Sequence, residues 1–166
     1  MSVAHTVIAS PVGPLTLVRD GTALTGLYFD SHLRTPRVTD WGPRTGDGFE
    51  AASAQLDAYF AGTRREFELE LAPRGSAFER RVWALLTAIP YGQTRTYGQL
   101  AAALGDAGAA QAVGAANGWN PISIIVPCHR VIGTSGSLTG YAGGMGRKRF
   151  LLSLEEPPAA DDGRLF

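Results

Sequence analysis

The chain has 166 residues, 45% of them hydrophobic and 18% charged, with 15 basic against 15 acidic side chains. That length suits one domain or two small lobes sharing a core, and the apolar fraction and zero net charge exclude a disordered chain. No run approaches the ~18 uninterrupted apolar residues of a membrane helix, and a lone cysteine, Cys128, excludes an internal disulfide and a multi-cysteine zinc site.

The opening residues 1–5 carry no basic stretch before an apolar one, so no signal peptide is expected. A soluble cytoplasmic protein, with Cys128 as a free thiol, is the expectation. His5, His32 and His129 are too scattered for a readable metal cluster, and no metal is expected.

Residues 6–9, 15–18 and 24–29 read as antiparallel strands, separated by the turn signals Ser10-Pro11-Val12-Gly13-Pro14 and Arg19-Asp20-Gly21. Residues 30–48, rich in Pro, Gly and Asp, read as an irregular connection. Helical spacing begins near Phe49, with Leu56, Tyr59 and Phe60 on one side and Gly62 as a stop. Strict alternation over Phe67-Glu68-Leu69-Glu70-Leu71 predicts a half-buried strand. Residues 72–75 form the linker.

Ser76 followed by Glu79 is a capping-box pattern, and Phe78, Val82, Leu85, Leu86 and Ile89 make an apolar stripe behind it. Thr96 can cap a helix over 97–104 that Gly105 stops. An Ala- and Gly-rich helix over 107–117 follows after a very short turn. Two helices so joined fit a helix-turn-helix, or equally two packed helices of an ordinary core. The β-branched run 122–126 reads as a buried strand, and a last helix spans about 147–154.

Charge is unevenly spread. Residues 1–73 carry six basic against nine acidic side chains, 74–150 eight against two, and 151–166 one against four. The basic middle suggests a polyanion surface, with a solvated basic face as the plain alternative.

Cys128 follows the apolar run, a place where free cysteine packs as a small hydrophobe. Three features point instead to reactivity. Pro127 breaks strand pairing, His129 and Arg130 place cations near the sulfur to favour thiolate, and the Asn120 amide can brace the preceding turn.

Pro127-Cys128-His129-Arg130-Val131 resembles the active-site motif of the methylated-DNA–protein-cysteine methyltransferases, the 6-O-alkylguanine-DNA alkyltransferases. The resemblance covers residues 76–155, with Ile89-Pro90-Tyr91-Gly92, Thr96-Tyr97, Ala112-Val113-Gly114-Ala115-Ala116-Asn117, Asn120-Pro121-Ile122 and Leu138-Thr139-Gly140-Tyr141-Ala142-Gly143-Gly144 in matching order and spacing. The first lobe resembles the family in size, strand-rich pattern and its Ser10-Pro11-Val12-Gly13 turn.

The fold expected is α/β in the α+β sense. A strand-rich N-terminal lobe (1–73) packs on a mainly helical C-terminal lobe (76–156), which carries a helix-turn-helix and the active-site cysteine. The resemblance implies a single-turnover repair reaction on double-stranded DNA carrying alkylated guanine: a monomer flips the damaged base and transfers its alkyl group irreversibly to the cysteine, with no cofactor.

By that resemblance Cys128 is the nucleophile, His129 its base through a water, and Glu155 the group that orients the imidazole. Asn120 braces the turn, Tyr97 supports flipping and protonates the departing guanine, and Lys148 stands near the leaving oxygen. Val131, Tyr141 and Ala142 contact the flipped base, while Gln111, Ala112, Gly114, Ala115, Trp119 and Arg130 complete the DNA- and base-binding set. Taken without the family, Glu155 beside Glu156 is a solvated tail pair and Tyr97 a core residue. Tyr141 among glycines points to function even alone.

Two positions depart from the family. Gln111 stands where the family has an arginine that fills the gap left by the flipped base, and it lacks that planar cation. Trp119 stands where a small or polar residue is usual, and either supplies stacking or packs the turn. A lesion binder without catalysis and a Cys-His thiol hydrolase are the competing readings; the first draws on Gln111 alone, and the second explains neither the helix-turn-helix nor the basic segment.

Overall fold

The computed structural model describes residues 2–30, 36–37, 39–133, 136 and 140–156. Leu138 and Thr139 of the glycine-rich motif, and His32, lie outside them. Three strands, β1 (Val3–Ile8), β2 (Leu15–Asp20) and β3 (Ala23–Phe29), form an antiparallel sheet in the order β1-β2-β3. Gly13 (φ 96°) and Gly21 (φ 64°) make the two turns in the left-handed region that glycine enters freely. β1 and β3 start earlier and β2 ends later than the sequence pattern indicated, because cross-strand bonding continues beyond the alternating apolar residues.

The sheet buries Leu15, Leu17, Leu27 and Phe29 in one apolar cluster, to which α1 (Glu50–Phe60) contributes Ala52, Leu56 and Tyr59. The alternating segment 67–71 is not a strand. It makes one isolated bridge, Leu71 to Leu24, flanked by Leu24 N donating to Glu70 O at 2.9 Å and Ala72 N to Leu24 O at 2.8 Å. The side chains do alternate in burial, but the backbone bonds to β3 at Leu24 alone, and at Leu27 the same edge is taken by residues 121–123.

Ser76 and Glu79 form the full capping box at the start of α2 (Ala77–Thr87), and Thr96 forms a second one with Gln99 at the start of α3 (Tyr97–Ala103). Residues 104–106 turn the chain, a 3-10 turn over Ala107–Ala109 follows, and α4 (Ala110–Gly118) packs on both α2 and α3. Trp83 of α2, 2% exposed, donates its indole N–H to Ala116 O at 2.8 Å, which hangs α4 on the core. A short parallel pair, β4 (Arg95–Thr96) with β5 (Val131–Ile132), and the final helix α5 (Met145–Glu155) complete the lobe.

The run 122–126 is a buried turn and not a strand. Ile122 bridges to Leu27, with Leu27 N donating to Pro121 O at 2.9 Å and Ser123 N to Leu27 O at 3.2 Å. The chain then folds back through Ile124 at φ 71°, so that Val126 N reaches Ile122 O at 3.0 Å. A β-branched residue at positive φ costs on the order of 1–3 kcal/mol and persists only where its surroundings dictate it. Here burial of Ile122, Ile124, Ile125 and Val126 in one apolar cluster shared by both lobes supplies that constraint.

Candidate active site and DNA interface

That strained turn delivers Pro127 and then a 3-10 turn over Cys128–Arg130. Asn120 holds it from within: its Nδ2 donates to Val126 O at 2.8 Å and Ile122 O at 3.4 Å, and its Oδ1 accepts from Ile122 N at 3.0 Å. Asn117 of α4 adds a contact from Nδ2 to Cys128 O at 3.4 Å. The local pattern identified Asn120; it did not single out Asn117, whose role depends on α4 docking there.

Cys128 is 3% exposed, and burial pushes its thiol pKa up, opposed by the Asn120 side chain and the Lys148 cation. His129 is fully buried, and burial pushes its pKa down against the pull of Glu155. The resting pair is therefore a neutral thiol and a neutral imidazole. His129 Nε2 lies 2.8 Å from Glu155 Oε2 and so carries the proton toward the carboxylate. The other ring nitrogen, Nδ1, is buried without a hydrogen-bond partner among the described residues and is left as a base.

Glu155 is buried, not a solvated tail residue. Burial alone would raise its pKa; hydrogen bonds from His129 and Arg130 and the Arg130 charge outweigh that and hold it at about 2. Tyr59 of α1 also donates to Oε2, at 2.5 Å, a contact across 96 residues of sequence that no local motif announces.

Arg130 corrects an expectation. It is buried, with Nε donating to Glu155 Oε1 at 2.8 Å, Nη2 to Oε2 at 3.0 Å and Nη1 to Ile89 O at 2.7 Å. All these bonds turn the guanidinium inward, away from any DNA surface and onto the carboxylate that would otherwise be a costly lone buried charge. The cation beside the sulfur is instead Lys148, fully buried, with Nζ donating to Val131 O at 2.6 Å.

Beside the cysteine turn opens a cleft of about 370 Å³ lined by Tyr97, Gly114, Asn117, Gly118, Gly140, Tyr141 and Ala142. That is the size of a small-ligand site. Tyr97 of the expected catalytic set and Gly114, Tyr141 and Ala142 of the expected base-binding set thus line one cavity. Val131 is buried and is not among the lining residues, and Gln111, Ala112 and Ala115 lie exposed along α4. Tyr141 is fixed by an edge contact with Phe29 of β3, ring centroids 5.9 Å apart. Gly143 permits this approach, since a Cβ there would sit 2.5 Å from the Phe29 ring. Arg147 clamps the same loop to the N-terminal lobe, with Nε donating to Val12 O at 2.8 Å and Nη2 to Asp30 Oδ1 at 2.5 Å.

Trp119 does not line the cleft. The Arg37 guanidinium lies 4.1 Å from its ring centroid and makes a bidentate pair with Glu79, at 2.9 and 2.8 Å. Of the two roles open to Trp119, this placement favours packing the turn. The basic segment is also less available than its count implies. Arg130 and Lys148 are buried, Arg74 pairs with Asp20 and Arg147 with Asp30, leaving Arg80, Arg81 and Arg149 exposed and Arg95 half-buried. Among the described residues no group of His, Cys, Asp and Glu is placed to hold a metal ion, and no helix is long and apolar enough to cross a membrane.

Comparison with known proteins agrees in both lobes. Residues 3–73 match the family described as 6-O-methylguanine DNA methyltransferase, ribonuclease-like domain, and residues 77–157 match its DNA binding domain. A methylated-DNA–protein-cysteine methyltransferase of Mycobacterium tuberculosis is 55% identical over 159 residues, 96% of each chain. One from Methanosarcina acetivorans is 48% identical over 151 residues, 91% of this chain and 97% of that one. The crystal structure of Mycobacterium tuberculosis OGT in complex with DNA superposes with a TM-score of 0.87 at 55% identity, covering 92% of each chain. With both of its lobes matched and its length nearly spanned by such relatives, this chain belongs to the 6-O-methylguanine DNA methyltransferase family.

Proposed function

We propose that this protein repairs double-stranded DNA by transferring the alkyl group of a 6-O-alkylguanine to Cys128, once per molecule. The observation that carries the reading is the buried Cys128 turn, backed by His129 and Glu155 and set beside a base-sized cleft at α4.

In this reading the exposed face of α4 follows the DNA groove, Tyr97 and Gln111 support extrusion of the damaged base, and the base enters between Tyr141 and Gly114. Val131 and Ala142 contact its edge through their backbone. The Sγ–H proton passes to His129 Nδ1, through a water, as sulfur attacks the alkyl carbon. The S–C bond forms while the C–O6 bond breaks, and its electron pair stays on O6. Glu155 stabilises the imidazolium that results, and Arg130 keeps Glu155 ionised. Lys148 sits near the departing oxygen, and Tyr97 supplies the proton that restores guanine. The product is S-alkylcysteine, which water does not cleave, so the protein is consumed. A monomer acting in the cytoplasm, with no cofactor or metal, suffices for this chemistry.

The test uses a duplex with a single 6-O-methylguanine labelled in its methyl group. Label should move to the protein with restoration of guanine in the DNA, and Cys128→Ala should bind the duplex without taking label. Binding by the wild-type protein with label left in the DNA would overturn the reading in favour of a lesion binder.

A further inference from the structure

We propose that Tyr59, from the N-terminal lobe, is a positioning residue of the alkyl-transfer site, its hydroxyl fixing Glu155 Oε2 so that His129 presents Nδ1 to Cys128. This rests on the Cys128–His129–Glu155 reading and adds to it a member from outside the catalytic lobe.

Tyr59 is fully buried on α1, and its ring is packed by Phe60, Phe67 and Tyr91 at centroid distances of 5.2, 5.4 and 6.3 Å. It has no freedom to point elsewhere. Its hydroxyl reaches Glu155 Oε2 at 2.5 Å, in the range of charge-assisted O–H···O⁻ bonds. That oxygen is the one His129 Nε2 contacts at 2.8 Å, and it also accepts from Arg130 Nη2 at 3.0 Å. Oε1 accepts from Arg130 Nε. The carboxylate is thus held from three directions, by α1, by the cysteine turn and by its own helix α5. Among the described residues, Tyr59 is the hydrogen-bond partner that the N-terminal lobe contributes to this carboxylate.

Among the described residues, the charged and titratable groups around the relay are Arg130 and Cys128 on the cysteine turn, Lys148 on α5, Tyr141 beside Cys128 and Tyr59, and Tyr91, whose hydroxyl donates to Leu154 O and whose ring lies under Arg65. Burial and the Glu155 charge push the Tyr59 phenol far above its ordinary range, so it remains a donor at every working pH. As a donor it draws negative charge from Oε2 and moderates the basicity that Glu155 confers on His129. Removing it should raise the imidazole pKa and loosen the carboxylate; strengthening it should do the reverse. A tyrosine that merely pinned α1 to α5 would change thermal stability and leave the titration of the relay alone.

The experiment measures the single-turnover rate on a 6-O-methylguanine duplex against pH for the wild-type protein, Tyr59→Phe, a protein with 3-fluorotyrosine in place of Tyr59, and Glu155→Gln. Tyr59→Phe should move the acid limb up by roughly half to one pH unit and lower the plateau roughly tenfold, as misplacing a catalytic group does, with duplex affinity retained. Fluorotyrosine, nearly the same size and a stronger donor, should move the limb down, and it carries the test if Tyr59→Phe does not fold. If Glu155→Gln loses the rate while the folded Tyr59 variants keep the wild-type limb, Tyr59 is structural and the inference is overturned. If Glu155→Gln keeps the wild-type rate and limb, the relay itself fails and Tyr59 falls with it.

Discussion

The Arg130 guanidinium grips the Glu155 carboxylate with two parallel bonds, Nε to Oε1 at 2.8 Å and Nη2 to Oε2 at 3.0 Å, and both partners are buried. This pair lets a carboxylate stay ionised inside the protein, where it can orient His129. Removing one partner of a buried pair typically costs 3–5 kcal/mol because the other charge is stranded. Arg130→Met should therefore destabilise the protein by about that much, read as a shifted urea midpoint with an unchanged slope. A loss under about 1 kcal/mol would place the guanidinium outside the structural network.

The same network fixes how stability responds to acid. His129 is held neutral, below its ordinary pKa, so an unfolded chain takes up a proton near pH 6.5 that the folded one does not. Glu155, at about 2 when folded, contributes stability that is full above its ordinary value of 4.5 and lost as pH falls toward 2. In both cases the unfolded state binds more protons, so stability rises with pH through each window. Tm should begin to fall below pH 6.5 and fall faster below 4.5; a flat Tm from 6.5 to 4 would contradict the buried relay.

Local chemistry made much of this legible. The Ser76–Glu79 cap, the Thr96 start, the Gly62 and Gly105 stops and the Asn120 brace all act within a few residues of themselves. The misread segments are those where tertiary context decides. Residues 122–126 have strand composition, yet one bridge to Leu27 and a positive φ at Ile124 make them a turn. Arg130 reads as a DNA contact from its place beside the cysteine motif, and only the approach of α5 reveals Glu155 as its partner. Tyr59 has the spacing of a core residue; its hydroxyl gains meaning 96 residues later.

Salt dependence should be moderate. Among the described residues, Arg80, Arg81, Arg95 and Arg149 of the eight basic residues in the middle segment are neither buried nor paired with a carboxylate. Neutralising four phosphates gives a log-affinity against log-salt slope no steeper than about −4, against about −7 for all eight. Titration of an unmodified duplex at several salt concentrations checks this, and a slope near −7 or near zero would contradict it.

Gln111 is exposed at the start of α4, with neither charge nor a planar fork to occupy the gap behind a flipped base. Gln111→Arg should raise the transfer rate on duplex DNA, by about fivefold for each ~1 kcal/mol of added support. It should leave the rate with a free alkylated base unchanged, since no flipping is needed there. Equal duplex rates for the two proteins would show that residue 111 carries no mechanistic weight.

In the proposed reaction Cys128 is consumed by the alkyl group it removes. Intact-mass and peptide mass spectrometry, after mixing the protein with excess 6-O-methylguanine duplex, tests it directly. One methyl per molecule is expected, located on Cys128, with restored guanine equal in amount to the protein. Unmodified Cys128 after repair, a methyl group on another residue, or more lesions repaired than protein molecules present would contradict it.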